Sequence, residues 1–151
     1  MGQSILKISD SLPEVSRLYI ETSPLIYLIE QHSTYIGRVR SIVRQAEAER
    51  IPIFSSVITL TEVLSQPIRL GKKEIEKAYR NILLNSATFH LVVVTATIAE
   101  SAARLRAKYN LRTPDALHVA TAMETACDAF LTNDVALKRV QEVRVVVLDE
   151  F

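Results

Sequence analysis

The chain alternates short runs of consecutive apolar residues with longer segments in which apolar residues recur every three or four positions. Continuous apolar runs are typical of parallel strands covered on both faces, and the longer spacing is typical of amphipathic helices. The runs predict strands over residues 17–20, 51–56, 91–94, 129–131 and 143–148. The spacing predicts helices over residues 25–30, 35–49, 60–64, 72–84, 97–108, 114–125 and 135–140. This alternation indicates an α/β fold with a central parallel sheet of about five strands and right-handed crossovers.

The pattern from residue 17 to residue 151 shows no internal repeat and no linker, so we expect one domain there. Residues 1–16 are polar, carry Pro13, and are predicted to form an N-terminal lead-in. The first helix has a recognisable start, because Ser23 stands directly before Pro24. Ser is a good capping residue and Pro a good first helical residue, so we expect Ser23 to cap a helix that begins near Leu25.

Composition narrows the class of protein. Hydrophobic residues make up 48% of the chain and charged residues 23%, as in an ordinary globular domain. No apolar run approaches the roughly 20 residues that span a bilayer, and the N-terminus lacks a signal-peptide pattern. Cys127 is the single cysteine, so no internal disulfide can form and we expect a cytoplasmic protein. The net charge of +1 neither requires nor excludes a nucleic-acid partner.

Four acidic residues occupy comparable positions at strand ends and helix starts. Glu21 follows the first predicted strand, Asp134 follows the fourth, Asp115 lies in the first turn of a helix, and Glu62 lies in the helix after the second strand. Ligands of open parallel sheets bind beyond the carboxyl ends of the strands, where strand order reverses. Unpaired carboxylates in that crevice would repel one another, and Mg²⁺ or Mn²⁺ would relieve the repulsion. Such a cation suits displacement at phosphorus.

Each acid alone also has a simpler interpretation. Asp115 could complement a helix dipole, Asp134 could belong to an Asn-Asp turn, and Glu62 could be a solvated helix residue. Glu21 is harder to explain in this way, because it ends an otherwise buried strand beside Thr22 and Ser23. The set of four is therefore more specific than any one of its members.

Four segments of the chain together resemble the PIN domain family. They are Glu21-Thr22-Ser23-Pro24-Leu25-Ile26, Thr61-Glu62-Val63, Asp115-Ala116-Leu117-His118-Val119-Ala120 and Leu131-Thr132-Asn133-Asp134. The resemblance covers roughly residues 17–148, and its strongest part is the last two segments with their mutual spacing. Residues 66–112 match only in their variable, helical character.

The resemblance implies a three-layer α/β/α sandwich and an endoribonuclease that uses Mg²⁺ or Mn²⁺ to activate water for hydrolysis of RNA phosphodiester bonds. Small members of the family are frequently dimeric toxins silenced by an antitoxin protein. Carried over by position, Glu21, Asp115 and Asp134 would be metal ligands, and Glu62 would bind metal directly or through water. Thr22, Ser23, Thr132 and Asn133 would orient ligands or waters.

One position departs from the family pattern, which usually has Asp where this chain has Glu21. The extra methylene displaces the carboxylate by about 1 Å, and a displacement of that size can cost ~10²-fold in rate. We therefore expect metal binding to survive, with a preference for Mn²⁺, and cleavage to be slowed. The alternative function is a catalytically weak or inactive PIN-like module that acts by binding RNA or protein.

Several other residues allow two interpretations. A basic stretch, and a second group before Asp115, could guide an RNA backbone or could be solvated helix faces; they comprise Arg69, Lys72, Lys73, Lys77, Arg80, Arg104, Arg106, Lys108 and Arg112. His118 is expected to pack beside the site, whereas His32, His90 and Cys127 have no spacing that suggests one. Tyr19, Tyr27 and Tyr35 favour core or dimer packing.

Other classes of α/β protein fit the residues less well. A receiver domain needs paired acids at its first strand and a lysine after its fifth, and a haloacid-dehalogenase phosphatase needs Asp-x-Asp after the first strand. Glu21-Thr22-Ser23 supplies neither acid pair, and no lysine follows Leu148. Phosphate-binding loops need clustered glycines, but the chain has three glycines and none are clustered.

Overall fold

The computed structural model describes residues 14–150. Five parallel strands form one sheet in the order β3-β2-β1-β4-β5. The strands are β1 (Leu18–Ile20), β2 (Ile53–Ser56), β3 (Phe89–Val92), β4 (Ala129–Thr132) and β5 (Val145–Val147). The predicted α/β fold with a parallel sheet of about five strands is confirmed.

Six α-helices connect and cover these strands in the described part of the chain. They are α1 (Thr22–Ile29), α2 (Ile36–Ala48), α3 (Ile58–Leu70), α4 (Lys73–Leu84), α5 (Ala96–Tyr109) and α6 (Thr113–Glu124). The segment predicted as a helix over residues 135–140 is a 3-10 helix, Val135–Arg139, and a second 3-10 turn covers Leu148–Glu150.

The side chains of β1 divide the core into two parts, because successive residues of a strand point to opposite faces. Leu18 and Ile20 pack into a core that receives side chains from α1 to α4. Tyr19 packs into a second core with α5 and α6, in which its ring stacks on Phe130 at 5.1 Å between centroids. Helices therefore cover both faces of the sheet, and the three-layer sandwich is confirmed.

Strand order reverses next to β1. This strand pairs with β2 on one side and with β4 on the other, although residues 18–20 and 129–131 are far apart in sequence. The first and fourth strands are therefore neighbours at the centre of the sheet. The carboxyl ends of β1 and β4 consequently form the crevice where open α/β sheets bind ligands.

The expected cap at Ser23 is wrong. The α1 helix begins at Thr22 with Glu21 as its N-cap residue, so Ser23 and Pro24 both lie inside the first turn. The amide of Glu21 donates to the carbonyl oxygen of Leu131 at 3.0 Å. The β1–β4 pairing therefore continues through Glu21, and the helix starts directly after it.

Several other predicted boundaries differ from the structure by a few residues, and two of these differences have a visible cause. β3 starts at Phe89, two residues before the apolar run, because the Ser86 hydroxyl accepts hydrogen bonds from the amides of Thr88 and Phe89 and so sets the start of the strand. α3 continues through Pro67 to Gly71, whose left-handed conformation (φ 66°) ends the helix. Most of the predicted lead-in lies outside the described residues. Within residues 14–150, no helix combines the length and hydropathy that a membrane span requires.

Candidate active site

Three of the four predicted acids approach one another at the carboxyl end of the sheet. Glu21 follows β1, Asp134 follows β4, and Asp115 is the third residue of α6. Asp115 and Asp134 both act electrostatically on Glu21, and each raises the pKa of its carboxyl group. The acids therefore face a common region, as the positions after the strands predicted.

Glu21 is buried, with only 8% of its surface exposed. Within residues 14–150 it has no ion pair with a Lys or Arg side chain. Burial is the main cause that raises its carboxyl pKa, and the neighbouring acids add to the effect. The Thr132 hydroxyl donates to Oε2, and this bond and the charge of His118 lower the pKa in part. The ionised carboxylate of Glu21 is therefore held at an electrostatic cost that a cation would relieve.

Thr132 also connects Glu21 to Asp134. Its Oγ1 atom accepts a hydrogen bond from the amide of Asp134 at 3.0 Å while its hydroxyl donates to Glu21. Oδ1 of Asp134 accepts from the amide of Ala136 at 3.0 Å and caps the 3-10 helix that follows. Asp134 thus has the turn role that its sequence context suggested, in addition to its place beside Glu21.

Glu62 occupies a different environment, because its carboxylate already has partners. Oε1 accepts the Thr22 hydroxyl at 2.9 Å and lies 2.7 Å from Nε2 of His118. Burial acts to raise the carboxyl pKa of Glu62, but the hydrogen bonds from His118 and Thr22, with the charges of His118 and Arg112, lower it overall. Glu62 is therefore ionised at neutral pH and fixed in place by side-chain contacts.

The His118 side chain links Glu62 to the centre of the sheet. It is 1% exposed, and its Nδ1 atom lies 2.6 Å from the Tyr19 hydroxyl. An ionised carboxylate can only accept hydrogen bonds, so Nε2 of His118 must carry a proton and donate it in the hydrogen bond to Glu62. Burial raises the pKa of Tyr19 well above its usual value, and the amide of Ser56 hydrogen-bonds to the same phenol. The phenol therefore keeps its proton, and its contact with Nδ1 joins Tyr19, His118 and Glu62 in one chain of hydrogen bonds.

Sequence reasoning expected His118 to pack beside the site, but it assigned Tyr19 only to packing. The contact between them joins residues 99 positions apart, and that from His118 to Glu62 joins residues 56 positions apart. No local pattern encodes such pairs. The available signal was a tyrosine in the interior of a buried strand, since a buried phenol usually has a hydrogen-bond partner.

The four residues expected to orient ligands divide into two pairs. Thr22 and Thr132 do contact acids of the site, at Glu62 and Glu21 respectively. Ser23 makes no side-chain hydrogen bond with residues 14–150, and Asn133 bonds elsewhere. The Asn133 side chain donates a hydrogen bond to the Tyr27 hydroxyl at 3.2 Å and accepts one from the amide of Asp149 at 3.1 Å. Asn133 therefore holds the loop after β4 against neighbouring elements.

Asp115 is paired with the residue that precedes its helix. Arg112 is the N-cap residue of α6, and its Nε atom lies 3.3 Å from Oδ2 of Asp115. The Asp115 residue is 9% exposed, whereas 81% of the Arg112 side chain is exposed. The buried acid is therefore covered from the solvent side by a guanidinium group.

The sequence profile of the PIN domain family matches residues 18–143, which is most of the chain. The chain belongs to the PIN domain family. The match includes all four acids and both strands that carry the crevice. Among curated proteins no relative matches.

Solved structures with the same PIN fold include several toxin–antitoxin proteins. The chain is similar to a toxin–antitoxin complex from Klebsiella pneumoniae, with 27% identity, a TM-score of 0.64, and coverage of 87% of this chain and 97% of that one. It is also similar to VapBC2 from Rickettsia felis bound to promoter DNA (18% identity, TM-score 0.69, coverage 87% and 98%). A third is VapC20 from Mycobacterium tuberculosis, a toxin that cleaves the sarcin-ricin loop (19%, TM-score 0.64, coverage 84% and 98%).

The carboxylate oxygens of this PIN domain are the type of ligand that a hard divalent cation prefers. Glu21, Asp115 and Asp134 offer carboxylate oxygens in electrostatic contact, and the burial of Glu21 leaves charge to be neutralised. Within residues 14–150, however, no three His, Cys, Asp or Glu side chains are arranged as a ready coordination shell. Mg²⁺ commonly takes one or two carboxylates and keeps several waters, so the residues suit a partly hydrated ion.

The remaining candidates of this PIN domain lie outside the acidic crevice. Lys73 and Arg80 of the basic stretch pair with the buried Glu76, at 3.6 and 3.2 Å. His90 stacks on Phe54. His32 packs between Tyr27 and Tyr35, and burial raises the pKa of the Cys127 thiol to about 11. A pocket of about 350 Å³ opens at the amino ends of β2 and β3, and its lining includes none of the four acids.

Proposed function

We propose that this protein is an endoribonuclease that hydrolyses RNA phosphodiester bonds with Mg²⁺ or Mn²⁺, and that it is the toxin of a toxin–antitoxin pair. The observation that carries the proposal is that Glu21 and Asp134 follow neighbouring strands where strand order reverses, and that Asp115 lies within electrostatic range of Glu21. The bound cation would supply Lewis acidity and an activated water at phosphorus.

The residues of the chain divide the remaining tasks. Glu21, Asp115 and Asp134 would hold the ion, directly or through water. Thr132 fixes Glu21 and the backbone at Asp134, because its hydroxyl group contacts both. Glu62 has one oxygen engaged by Thr22 and His118, so it would act as a fixed carboxylate that orients water beside the ion.

Cleavage of a defined RNA oligonucleotide tests the enzymatic part of the proposal. The purified protein is assayed with Mg²⁺, with Mn²⁺ and with EDTA, beside the variant Asp115→Asn. Glu100→Gln is a matched control, because Glu100 is an exposed acid of α5 whose ion pair is with Arg104. We expect metal-dependent cleavage by the wild-type protein and by the control, and loss of cleavage in Asp115→Asn. Equal cleavage in EDTA would contradict the proposal.

The toxin role is supported by the similarity to a toxin–antitoxin complex from Klebsiella pneumoniae, with which the chain shares 27% identity. Its antitoxin would be a separate protein that covers the acidic crevice, and the PIN chain itself would form a homodimer. Induction of the chain in a bacterial host should arrest growth, whereas induction of Asp115→Asn should not. Growth at the same rate in both cultures, with both proteins present in soluble form, would contradict the toxin role. Sedimentation of the purified protein measures the dimer.

A second candidate function is a PIN module that binds RNA or protein without cutting. Two observations favour it: Glu21 stands where the family usually has Asp, and the acids of residues 14–150 form no ready three-ligand shell. This candidate predicts RNA binding without cleavage in any metal. The cleavage assay therefore separates it from the nuclease directly.

A further inference from the structure

We propose that Arg112 neutralises Asp115 while the site holds no metal, and binds an RNA phosphate once Asp115 engages the metal. This inference rests on the proposed nuclease function and assigns a substrate-binding residue to it. Arg112 would therefore exchange an internal carboxylate for a phosphate during each binding event.

The first argument is the position of the Arg112–Asp115 pair. Among the ion pairs of residues 14–150, it is the one in which a Lys or Arg contacts one of the four acids. The other paired cations nearby in sequence contact acids outside the site, since Arg104 pairs with Glu100 and Lys108 pairs with Glu142. A cation that binds the Asp115 carboxylate competes directly with Arg112.

The second argument is the freedom of the guanidinium group. The Arg112 side chain is 81% exposed, so it can rotate without loss of buried contacts. A guanidinium carries five N–H donors, and the hydrogen bond to Asp115 uses the one on Nε. Both Nη groups are therefore available, within the described chain, for the bidentate contact that arginine makes with phosphate.

The third argument is electrostatic. Arg112 contacts Asp115 and also helps to lower the pKa of the Glu62 carboxyl group, so its charge acts on two of the proposed site acids. A divalent ion bound among the same acids would repel the guanidinium outward. The entrance of the crevice is where the backbone of a bound RNA would carry its negative charge.

Mn²⁺ titration calorimetry, without RNA, tests the first half of the exchange. The variants are Arg112→Ala and Arg112→Gln, and the second keeps a polar side chain in case the first folds poorly. Arg104→Ala is the matched control, since Arg104 is an exposed arginine in an ion pair on α5 (77% exposed). We expect both Arg112 variants to bind Mn²⁺ about fivefold more tightly than the wild type, because a competing cation has been removed. Arg104→Ala should match the wild type.

Steady-state cleavage of an RNA oligonucleotide at several salt concentrations tests the second half. Loss of Arg112 should raise KM about tenfold with a smaller change in kcat, because a charged hydrogen-bonding contact is removed. It should also reduce the slope of log affinity against log salt by about 0.7, the share of one phosphate contact with single-stranded RNA. Arg112→Lys should restore most of the slope, since it restores the charge.

The opposite directions of the two effects distinguish the exchange from a structural role. An Arg112 that only stabilised the start of α6 would, on removal, weaken the binding of Mn²⁺ and RNA together, and that result would overturn the inference. Unchanged KM and salt slope in an active Arg112→Ala protein would overturn it while the nuclease function stands. Absence of Mn²⁺ binding and cleavage in the wild type would overturn the function and the inference together.

Discussion

The two sides of the acidic crevice differ in how their carboxylates are satisfied. Glu21 is buried, lies near two other acids, and has a raised carboxyl pKa. Glu62 is partly exposed, accepts hydrogen bonds from His118 and Thr22, and has a lowered carboxyl pKa. Glu21 itself therefore has no Lys or Arg partner within residues 14–150, whereas Glu62 already has hydrogen-bond partners that stabilise its charge. In the proposed nuclease, this difference favours a place for the ion beside Glu21, with Glu62 held in a fixed position.

The largest expected effect is that of Glu21→Gln, which removes the buried charge and keeps the side-chain size. We expect cleavage to fall about 10³-fold, because several kcal/mol of charge stabilisation by the ion are lost. The metal-free protein should be at least as stable as the wild type at pH 7, since a costly buried charge has gone. Single-turnover cleavage and urea unfolding in EDTA measure the two outcomes. Activity within tenfold of the wild type would place the ion elsewhere.

Glu21→Asp sharpens the same comparison in the opposite direction. It restores the residue usual in the family and shortens the side chain by one methylene. We expect kcat to rise, by up to ~10²-fold if Glu21 displaces the ion by about 1 Å. The assay is cleavage at saturating RNA in Mg²⁺ and in Mn²⁺. No gain in either metal would count against a misplaced carboxylate as the cause of slow cleavage.

The variant His118→Leu tests whether the hydrogen bonds around Glu62 stabilise the metal-free protein. The substitution fills the buried position with an apolar side chain but leaves the Tyr19 hydroxyl and Glu62 without their shared hydrogen-bond partner. We expect the free energy of unfolding to fall by about 2–3 kcal/mol, the cost of unsatisfied buried polar groups. Urea unfolding in EDTA measures it, with Glu21→Gln as the contrasting variant. Equal stability in the two variants would mean that the sides do not differ.

The smallest expected effect is in the pH dependence of the free energy of unfolding of the metal-free protein, to which Glu21 and Glu62 should contribute with opposite sign. The raised pKa of Glu21 gives a stabilising contribution that is complete below its unfolded value near 4.5 and is lost as pH rises through the folded pKa. The lowered pKa of Glu62 gives the reverse: its contribution is present above 4.5 and is lost as pH falls through the folded pKa. Because Glu62 is partly exposed, its contribution should stay below about 1 kcal/mol. Urea unfolding of Glu21→Gln and Glu62→Gln from pH 3 to pH 8 should show opposite trends relative to the wild type, and parallel trends would contradict the assignment.

Much of the fold follows from local pattern. The strands and helices were predictable because apolar periodicity and burial coincide in most segments, as in α2, whose buried residues are the apolar ones at helical spacing. The errors arose where a hydrogen bond that the apolar pattern does not encode sets a boundary. The Ser86 hydroxyl starts β3 two residues before the apolar run, and the pairing of Glu21 with Leu131 moves the start of α1 ahead of Ser23.

The positions of the candidate site residues were predictable, but their contacts with one another were not. The positions of Glu21 and Asp134 after two strands predicted their proximity, since parallel strands end at the same edge. The partners of Glu62 and Asn133 were not predictable, because contacts of 56 and 106 positions in sequence depend on the packing of whole elements. Residue type shows that a carboxylate is present, and the assembled sheet decides what satisfies it.

The pairing of β1 with β4 also determines when the proposed nuclease could first act during its synthesis. A ribosome makes residues 18–20 before residues 129–131, so the crevice between them cannot form until both segments have been made. A proposed RNA-cutting protein that emerges from an RNA machine is therefore inactive until its β4 strand has been made. Nascent chains stalled at increasing lengths should gain RNA cleavage only after residue 134 has emerged.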